Sequence, residues 1–410
     1  MSNTERGDEF DPDVPGALED PEVVYGPLRG VHPVAWSSSY GGFWAATRYS
    51  DIERITTDPE TFTTTHGIVV PKNLASGRRP PLHYDPPEHT VYRKAINPTF
   101  RKDRLGRLEP VVKRLAAEML SGLAAERDET TLDLYGRFCS PFAGRVVCAL
   151  LNIDDRYVDD LSAGMERFEA AQRARDGAAV ERHNIELYGM CRELVEGRLG
   201  SPLLPEEDLI SALLALKEPP DTETVTGSLR QIIVAGHGAP ALVIASAVAH
   251  LAEDDALQHE WRRRPELVAA GAEEMLRLHT PNVGFARMAT RPVSLGGRQI
   301  EEGEMVAIVL PSANRDEDVF DRPDEVILGR PERHLAFGHG VHVCPGSVVG
   351  RSEVVVAIQA LLGSTASFEP AGDAVYSPWP TAGPTRLPLR LVWRRDGVGP
   401  IGPSLAGHRA

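Results

Sequence analysis

The densest chemistry in the sequence lies between His334 and Glu353, HLAFGHGVHVCPGSVVGRSE. Cys344 stands there in a glycine-rich loop, directly ahead of an apolar run, Val348 to Leu362, that predicts a buried helix. A helix N-terminus gathers unpaired N–H groups and the positive end of the helix dipole, and both favour a thiolate over a thiol. A thiolate in an otherwise apolar loop is a soft ligand suited to iron. Gly338, Gly340 and Gly346 allow tight turns and close approach of the backbone to a flat ligand, and Phe337 can pack against that ligand's face. A buried structural cysteine is the bland alternative.

Two further stretches carry candidate chemistry. Pro86 and Pro87 block helix before Glu88 and allow it to start there, which puts His89 and Arg93 at i, i+4 on one helical face. Two cationic donors on one face suit a carboxylate; a solvated basic face is the alternative. The residues 222–252, TETVTGSLRQIIVAGHGAPALVIASAVAHLA, form the longest helical candidate. Its centre, Ile232 to Val248, is apolar nearly all round and predicts burial. Gly236, Gly238 and Pro240 predict a kink or local widening, because Pro240 has no N–H for the carbonyl of Gly236.

The loop matches F-G-x-G-x-H-x-C-x-G at Phe337, Gly338, Gly340, His342, Cys344 and Gly346, and resembles the heme-binding loop of the cytochrome P450 family. The stretch from Asp85 resembles the family's D-P-P-x-H-x-x-x-R segment, although Lys94 stands where many members have a second arginine. The resemblance covers roughly residues 20–395. It implies heme b as cofactor, Cys344 as the iron ligand, and His89, Arg93, Arg287 and His342 as donors to the two propionates. It also implies a buried network of Glu274, Arg277 and Arg330 bracing the heme loop. Alone, Glu274 and Arg277 at i, i+3 would read as an exposed bridge of marginal value.

One departure stands out. The family's central-helix segment reads A-G-x-(Asp/Glu)-Thr-Thr. Here Ala235, Gly236 and His237 match, but Gly238 stands at the acid position and Ala239 and Pro240 at the two alcohols. The acid–alcohol pair that delivers protons in the family is absent, so no catalytic acid is assigned. The resemblance places Ala235, Gly238, Ala239, Val283, Gly284, Phe285 and Thr381 along a substrate pocket and the loop of residues 64–84 in its roof. Mobile lid helices fall around residues 160–200. Pro345 cannot donate an N–H to the cysteine sulfur, which would leave more charge on the iron.

Around these residues the chain reads as ordinary globular protein. It has 410 residues, 42% hydrophobic and 25% charged, which is ample for a large core. The net charge of −15 argues against a nucleic-acid partner. A basic cluster, Arg101, Lys102, Arg104, Arg107, Lys113 and Arg114, reads either as a solvated helix face or as a docking patch for an acidic electron donor. The four cysteines have no C-x-x-C pair, which suits a reducing compartment without disulfides. No apolar run approaches the ~18 residues of a membrane span, and the N-terminus has no apolar h-region and no basic n-region, so a cytoplasmic bacterial protein without a membrane anchor is expected.

Residues 33–48 predict a hairpin, and Tyr49 to Thr56 a short helix with Ser50 as N-cap. Residues 108–152 and 156–217 read as mostly amphipathic helix. Residues 1–20 and 396–410 read as mobile tails around a single domain, 21–395. The expected fold is mainly α, the P450 fold: a helical triangular prism with a smaller β-rich region. The implied chemistry takes two electrons from NAD(P)H through a ferredoxin reductase and ferredoxin, and O₂, to oxidise a small organic substrate of secondary metabolism. The chain is expected to act as a monomer. Oxygen insertion is the family's default outcome. The missing pair gives weight to oxidative aromatic coupling, in which the substrate supplies protons. A non-catalytic heme sensor or carrier is the reading from a different class.

Overall fold

The structure is a computed structural model that describes residues 9–14, 16–17, 19–71, 78–125, 129–394, 399 and 401–403. In chain order the elements are α1 (Glu22–Val31), β1 (Val34–Ser37), β2 (Phe43–Ala46), α2 (Tyr49–Thr57), β3 (Phe62–Thr63), α3 (Glu88–Ile96) and α4 (Lys102–Ala124). Then come β4 (Glu129–Asp133), α5 (Ser140–Leu150), α6 (Asp155–Arg173), α7 (Gly177–Gly200), α8 (Leu209–Leu214), α9 (Thr222–Glu253), α10 (Asp255–Arg263) and α11 (Val268–Leu278). The chain continues with β5 (Ala286–Ala289), β6 (Val293–Leu295), β7 (Arg298–Ile300), β8 (Met305–Ile308), α12 (Leu310–Ala313) and α13 (Ser347–Ser364). It closes with β9 (Thr365–Pro370), β10 (Val375–Tyr376), β11 (Pro384–Arg386) and β12 (Pro388–Trp393). Within the span expected to be one domain, these elements form two compact units.

The first unit comprises Met1–Val91, Glu274–Cys344 and Tyr376–Gly383. Its five-stranded sheet runs β1-β2-β8-β5-β3, parallel between β2 and β8 and antiparallel elsewhere. Strand residues alternate between the two faces, and each face builds its own core. Val34, Trp36, Trp44, Ala46, Val306 and Ile308 pack with Ile52 and Ile55 of α2. Ala35, Phe43, Ala45, Met305 and Ala307 pack with Tyr25 and Leu28 of α1. The predicted hairpin is present, with Trp36 opposite Trp44.

Two expectations are corrected here. Ser50 does not cap α2; the distant carboxylate of Asp316 accepts from the Tyr49 N–H at 2.8 Å instead. Part of the segment read as a mobile tail is docked. Phe10 is buried edge-on against Tyr25 and Phe43, and Glu9 Oε2 accepts from the Trp36 N–H at 2.9 Å. An apolar ring inside an acidic segment was enough to anchor it. Residues 1–8 and most of the C-terminal tail lie outside the described residues.

The second unit comprises Tyr92–Glu273, Pro345–Val375 and Pro384–Ala410. Helix α9 packs against α5, α7 and α13, and α13 packs against α4. A three-stranded antiparallel sheet, β4-β12-β9, completes the unit. Strand β4 lies inside a stretch read as helix. Its partner β12 comes from the far end of the chain, so local periodicity could not announce it.

Helix α9 corrects two further expectations. It remains α-helical from Thr222 to Glu253, straight through Gly236 and Pro240, so no local widening occurs. Its long regular flanks, fixed by packing, outweigh one lost hydrogen bond. Helices α9 and α13 are also long and apolar enough to cross a membrane, against the reading that no such run exists. Most of each apolar window is buried inside the protein, 56% in α9 and 72% in α13, as in core helices.

Candidate active site

Cys344 is positioned by backbone. Its N–H donates to Phe337 O at 2.8 Å, closing a loop around a single 3₁₀ turn, Gly340–His342. Gly338 and Gly340 adopt φ of +70° and +68°, a region costly to other residues. At Gly340 a β-carbon would also collide with the carbonyl of Thr56. Gly346 has an ordinary φ of −81° and stands as N-cap of α13, so the helix starts three residues beyond the cysteine, at Ser347. From Ala336 to Val348 the loop is neither exposed nor buried. The other three cysteines are buried, and burial pushes Cys148 and Cys191 up to about 12 and Cys139 further. They are inert thiols, and among the described residues no disulfide forms.

Donors for an anion gather in the same unit. The rings of His89 and His342 meet edge to face with centroids 4.5 Å apart. His342 Nε2 lies 3.4 Å from Thr64 Oγ1, whose hydroxyl donates to Asp85 at 2.8 Å. Arg287 on β5 is buried, yet its one described side-chain hydrogen bond runs to the neighbouring carbonyl of Ala286 at 2.9 Å. Burial lowers its pKa to about 10, with Asp85 offsetting only part of the loss. Such an under-compensated buried cation fits a ligand that brings its own carboxylate. Arg93, on α3 in the second unit, is half-buried. Among the described residues no group of three or more His, Cys, Asp or Glu could hold a metal ion, so most of an iron's ligands would have to come from a cofactor.

Behind the loop lies an ion network in which Glu274 and Arg277 are buried and Arg330 is half-buried. Arg277 Nε and Nη2 donate to the two oxygens of Glu274 at 2.8 Å each, and Arg330 Nε donates to Glu274 Oε2 at 3.0 Å. Burial pushes Glu274 toward the neutral acid, but hydrogen bonds from Arg277, Ile327 and Arg330 outweigh it and hold its pKa below the ordinary value. Arg277 also donates to Asn314 O at 2.9 Å, and Asn314 Oδ1 accepts from the Leu335 N–H at 2.5 Å. Leu335 O in turn accepts from Gly338 N–H at 2.8 Å. The brace therefore reaches the cysteine loop through Asn314, a link the sequence motif did not name.

On α9 the apolar centre is not closed off. Its C-terminal half from Ala241 to Val248 is buried, but Ala235 is exposed and Gly238 and Ala239 are half-exposed. An apolar helix face left open by its own chain suits a large apolar ligand. His237 points the other way and is completely buried. Its Nδ1 lies 3.0 Å from Glu169 Oε1, and its Nε2 lies 3.0 Å from Ser140 Oγ.

The protein matches the family model "Cytochrome P450" over residues 192–370. Cytochrome P450 109 of Bacillus spizizenii is 30% identical over 396 residues, spanning 91% of this chain and 92% of that protein. Nocardicin C N-oxygenase of Nocardia uniformis subsp. tsuyamanensis is 31% identical, spanning 90% and 94%. The solved structure of CYP109Q5 from Chondromyces apiculatus superposes with a TM-score of 0.81 at 26% identity, covering 93% of this chain and 97% of that one. The chain belongs to the cytochrome P450 family.

This P450 is an oxidoreductase of the heme-thiolate monooxygenase family, and it has the P450 fold. The family implies heme iron, an organic substrate and a redox partner. Some pocket residues expected from the sequence do come together in the first unit. Asn282 pairs with Thr381, and Val283 and Gly284 N–H both donate to Pro380 O at 3.0 Å. Phe285 is half-buried, whereas Val283 is a core residue with Phe43 and Trp379. The space a side chain would take at Gly284 is filled by Trp379 and Pro380, which explains the glycine there.

The basic cluster of this P450 is less basic than its sequence. Arg104 is buried and donates to the Glu207 and Leu150 carbonyls, the latter at 2.6 Å. Arg101 pairs with Asp103 at 3.1 Å, Arg107 with Glu207 at 3.2 Å and Lys113 with Glu109 at 2.9 Å. Sequence reasoning missed Glu169 and Tyr135 entirely, since each lies on an amphipathic stretch with no motif. It also gave no role to Glu353 on α13, whose buried carboxyl has Oε2 unpartnered and whose pKa burial pushes well above the ordinary value.

Proposed function

We propose that Cys344 is the thiolate ligand of heme b, and that the protein oxidises a small organic, secondary-metabolite substrate with O₂ and two electrons from NAD(P)H. Ferredoxin and its reductase deliver the electrons, and the protein works as a cytoplasmic monomer. The observation that carries the reading is the cysteine loop itself: a half-open, glycine-built turn holding one cysteine, in the same compact unit as the under-compensated Arg287. Thiolate-bound heme iron activates O₂ by pushing electron density toward O–O cleavage. The chain's own residues then have distinct tasks. His89, Arg93, Arg287 and His342 neutralise the two propionates. Phe337, Gly338 and Gly346 let the loop lie flat on the ring. Glu274, Arg277 and Arg330 hold the loop in register. Phe285 and Thr381 face the substrate, with Val283 and Gly284 supporting them from behind, and Ala235, Gly238 and Ala239 offer it the open face of α9.

The test is the ferrous–carbon monoxide difference spectrum of the purified protein beside Cys344→Ala. A Soret band shifted far to the red, lost in the variant, is the expected result. The same spectrum in both proteins removes Cys344 as ligand. A second reading, oxidative aromatic coupling, draws on Gly238 and Ala239, which offer neither acid nor alcohol. Product mass separates the two: a gain of one oxygen marks insertion, a loss of two hydrogens marks coupling.

A further inference from the structure

The acid that α9 lacks in its own sequence is present in space. A β-carbon built at Gly238 would lie 3.1 Å from Glu169 Oε1. Helix α6 thus projects a carboxylate onto the spot from which a side chain at position 238 would begin. The same oxygen stands 3.0 Å from His237 Nδ1, an ion-pair contact that falls outside hydrogen-bond geometry. Tyr135 Oη donates to the other oxygen, Oε2, at 3.0 Å, and Arg173 stands 3.9 Å from it. Ser140 Oγ meets the far nitrogen of the imidazole.

Small residues make this convergence possible. At Gly236 a β-carbon would come within 2.7 Å of Val147, and at Gly144 within 2.9 Å of Ser162 Oγ and 3.4 Å of His237. Helices α5 and α9 therefore approach closely enough to bring Ser140 to His237. The imidazole is sealed from water, while the Glu169 side chain keeps 15% of its surface. Gly238, beside it, is half-exposed. One carboxylate oxygen thus joins a buried imidazole to an accessible edge of α9.

We propose that Glu169 supplies to α9 the carboxylate missing at Gly238, and that Glu169 and His237 together form a proton-holding pair opening toward the accessible face of that helix. In the resting state the imidazole is protonated and the carboxylate ionised. A small rotation of the ring brings Nδ1–H into line with Oε1, and the proton moves across, leaving a neutral imidazole and a neutral carboxyl. Glu169 releases it on the Gly238 side and returns to carboxylate, and solvent protons entering by the same route reload His237. The charged groups that reach the imidazole are Glu169 and Glu166 of α6, with Arg173 behind them, and the phenol of Tyr135 beyond Glu169. Burial opposes the charge on His237 most strongly, but Glu169, Glu166 and Ser140 outweigh it and raise its pKa above the ordinary value. Glu169 is a positioning residue for proton supply; its role in turnover rests on the heme-thiolate reading above.

The experiment moves the carboxylate from one helix to the other. The holoprotein, Glu169→Gln and Glu169→Ala/Gly238→Asp are each first checked by the ferrous–carbon monoxide spectrum. Loss of the red-shifted band from the unaltered protein is a failure of the heme-thiolate reading alone. Nitrogen NMR of labelled histidine in the ferrous–carbon monoxide form then follows the His237 protonation equilibrium. Glu169→Gln, nearly isosteric, should weaken proton binding at His237 at least tenfold, and the double variant should recover most of that loss. The rate at which dithionite-reduced protein returns to the ferric form in air-saturated buffer should fall several-fold in Glu169→Gln and recover in the double variant. An unchanged His237 equilibrium in Glu169→Gln overturns the pair. Recovery of neither quantity in a double variant that keeps the red-shifted band overturns the equivalence of the two positions. An unchanged reoxidation rate overturns the role in proton supply.

Discussion

The cysteine loop and the centre of α9 are both short, glycine-rich stretches, and they acquire their chemistry in opposite ways. In the loop, backbone geometry does most of the work. Positive φ at Gly338 and Gly340, a single turn and one N–H to Phe337 O place the sulfur, and the ion network behind is formed within a connected part of the chain. In α9 the backbone is plain α-helix, and the chemistry arrives on side chains from other elements: Glu169 from α6, Ser140 from the start of α5, Tyr135 from the turn before it. A site made by backbone leaves a spaced signature in sequence. A site made by convergence of helices does not.

The sharpest way to break the comparison is at the network behind the loop. Arg277→Ala leaves Glu274 buried with much of its compensation gone, and also releases Asn314. Removing one partner of a buried pair costs about 3–5 kcal/mol. Chemical denaturation should show a loss of that order, with heme content falling together with stability. A loss under 1 kcal/mol would mean that the network does not hold the loop.

That contrast also explains what was legible. The loop motif, the helix that starts at Glu88, the Glu274–Arg277 pair and the first hairpin are all local patterns, and each appears in the structure. Phe10, β4 and the Asp316 cap depend on partners far along the chain, and no window of sequence contains both halves. Burial of α9 was over-read for a physical reason. An apolar face buried by protein and one left open for an apolar ligand have the same periodicity. Glu169 was invisible because a glutamate on an amphipathic helix ordinarily faces water.

Within the loop, Gly340 and Gly338 provide an internal control. Both have positive φ, for which a β-carbon costs about 1–2 kcal/mol. Only at Gly340 does that carbon also meet the Thr56 carbonyl; at Gly338 the nearest atom, His342 O, is 4.0 Å away. Gly340→Ala should therefore lower the thermal midpoint clearly more than Gly338→Ala. Equal shifts would assign the glycines to backbone conformation alone and leave the close approach to α2 without consequence.

The α9 side is tested by pH. His237 has a raised pKa, so its contribution to stability is full below the ordinary histidine value of 6.5 and is lost as pH rises through its folded value. Glu169 has a lowered pKa, so its contribution is full above 4.5 and is lost as pH falls through its folded value. The pair should stabilise most between those limits. Replacing His237 by Gln should cost about 2 kcal/mol in that window, as for a buried group that loses one of its polar partners. The difference from wild type should narrow toward alkaline pH. A penalty that stays constant from pH 5 to 9 would mean that His237 is neutral throughout and serves only packing.

The smallest expected effect returns to the sulfur and asks whether backbone also sets its electronics. Position 345 is proline, so the amide that directly follows Cys344 has no hydrogen to offer. Leucine at that position would add one N–H. A hydrogen bond to sulfur stabilises the ferrous state more than the ferric, because the ligand carries more negative charge when the iron is reduced. The reduction potential should therefore rise in Pro345→Leu. A net hydrogen bond is worth about 1 kcal/mol. On the one-electron scale, where 59 mV is a tenfold change, that bounds the shift at roughly 40 mV. Spectroelectrochemical titration of both proteins resolves a change of this size. An unchanged or lowered potential would mean that the amide at 345 does not reach the sulfur, and that proline there is neutral variation. A rise would show the loop tuning its ligand by omitting a donor, just as α9 obtains its carboxylate by borrowing one.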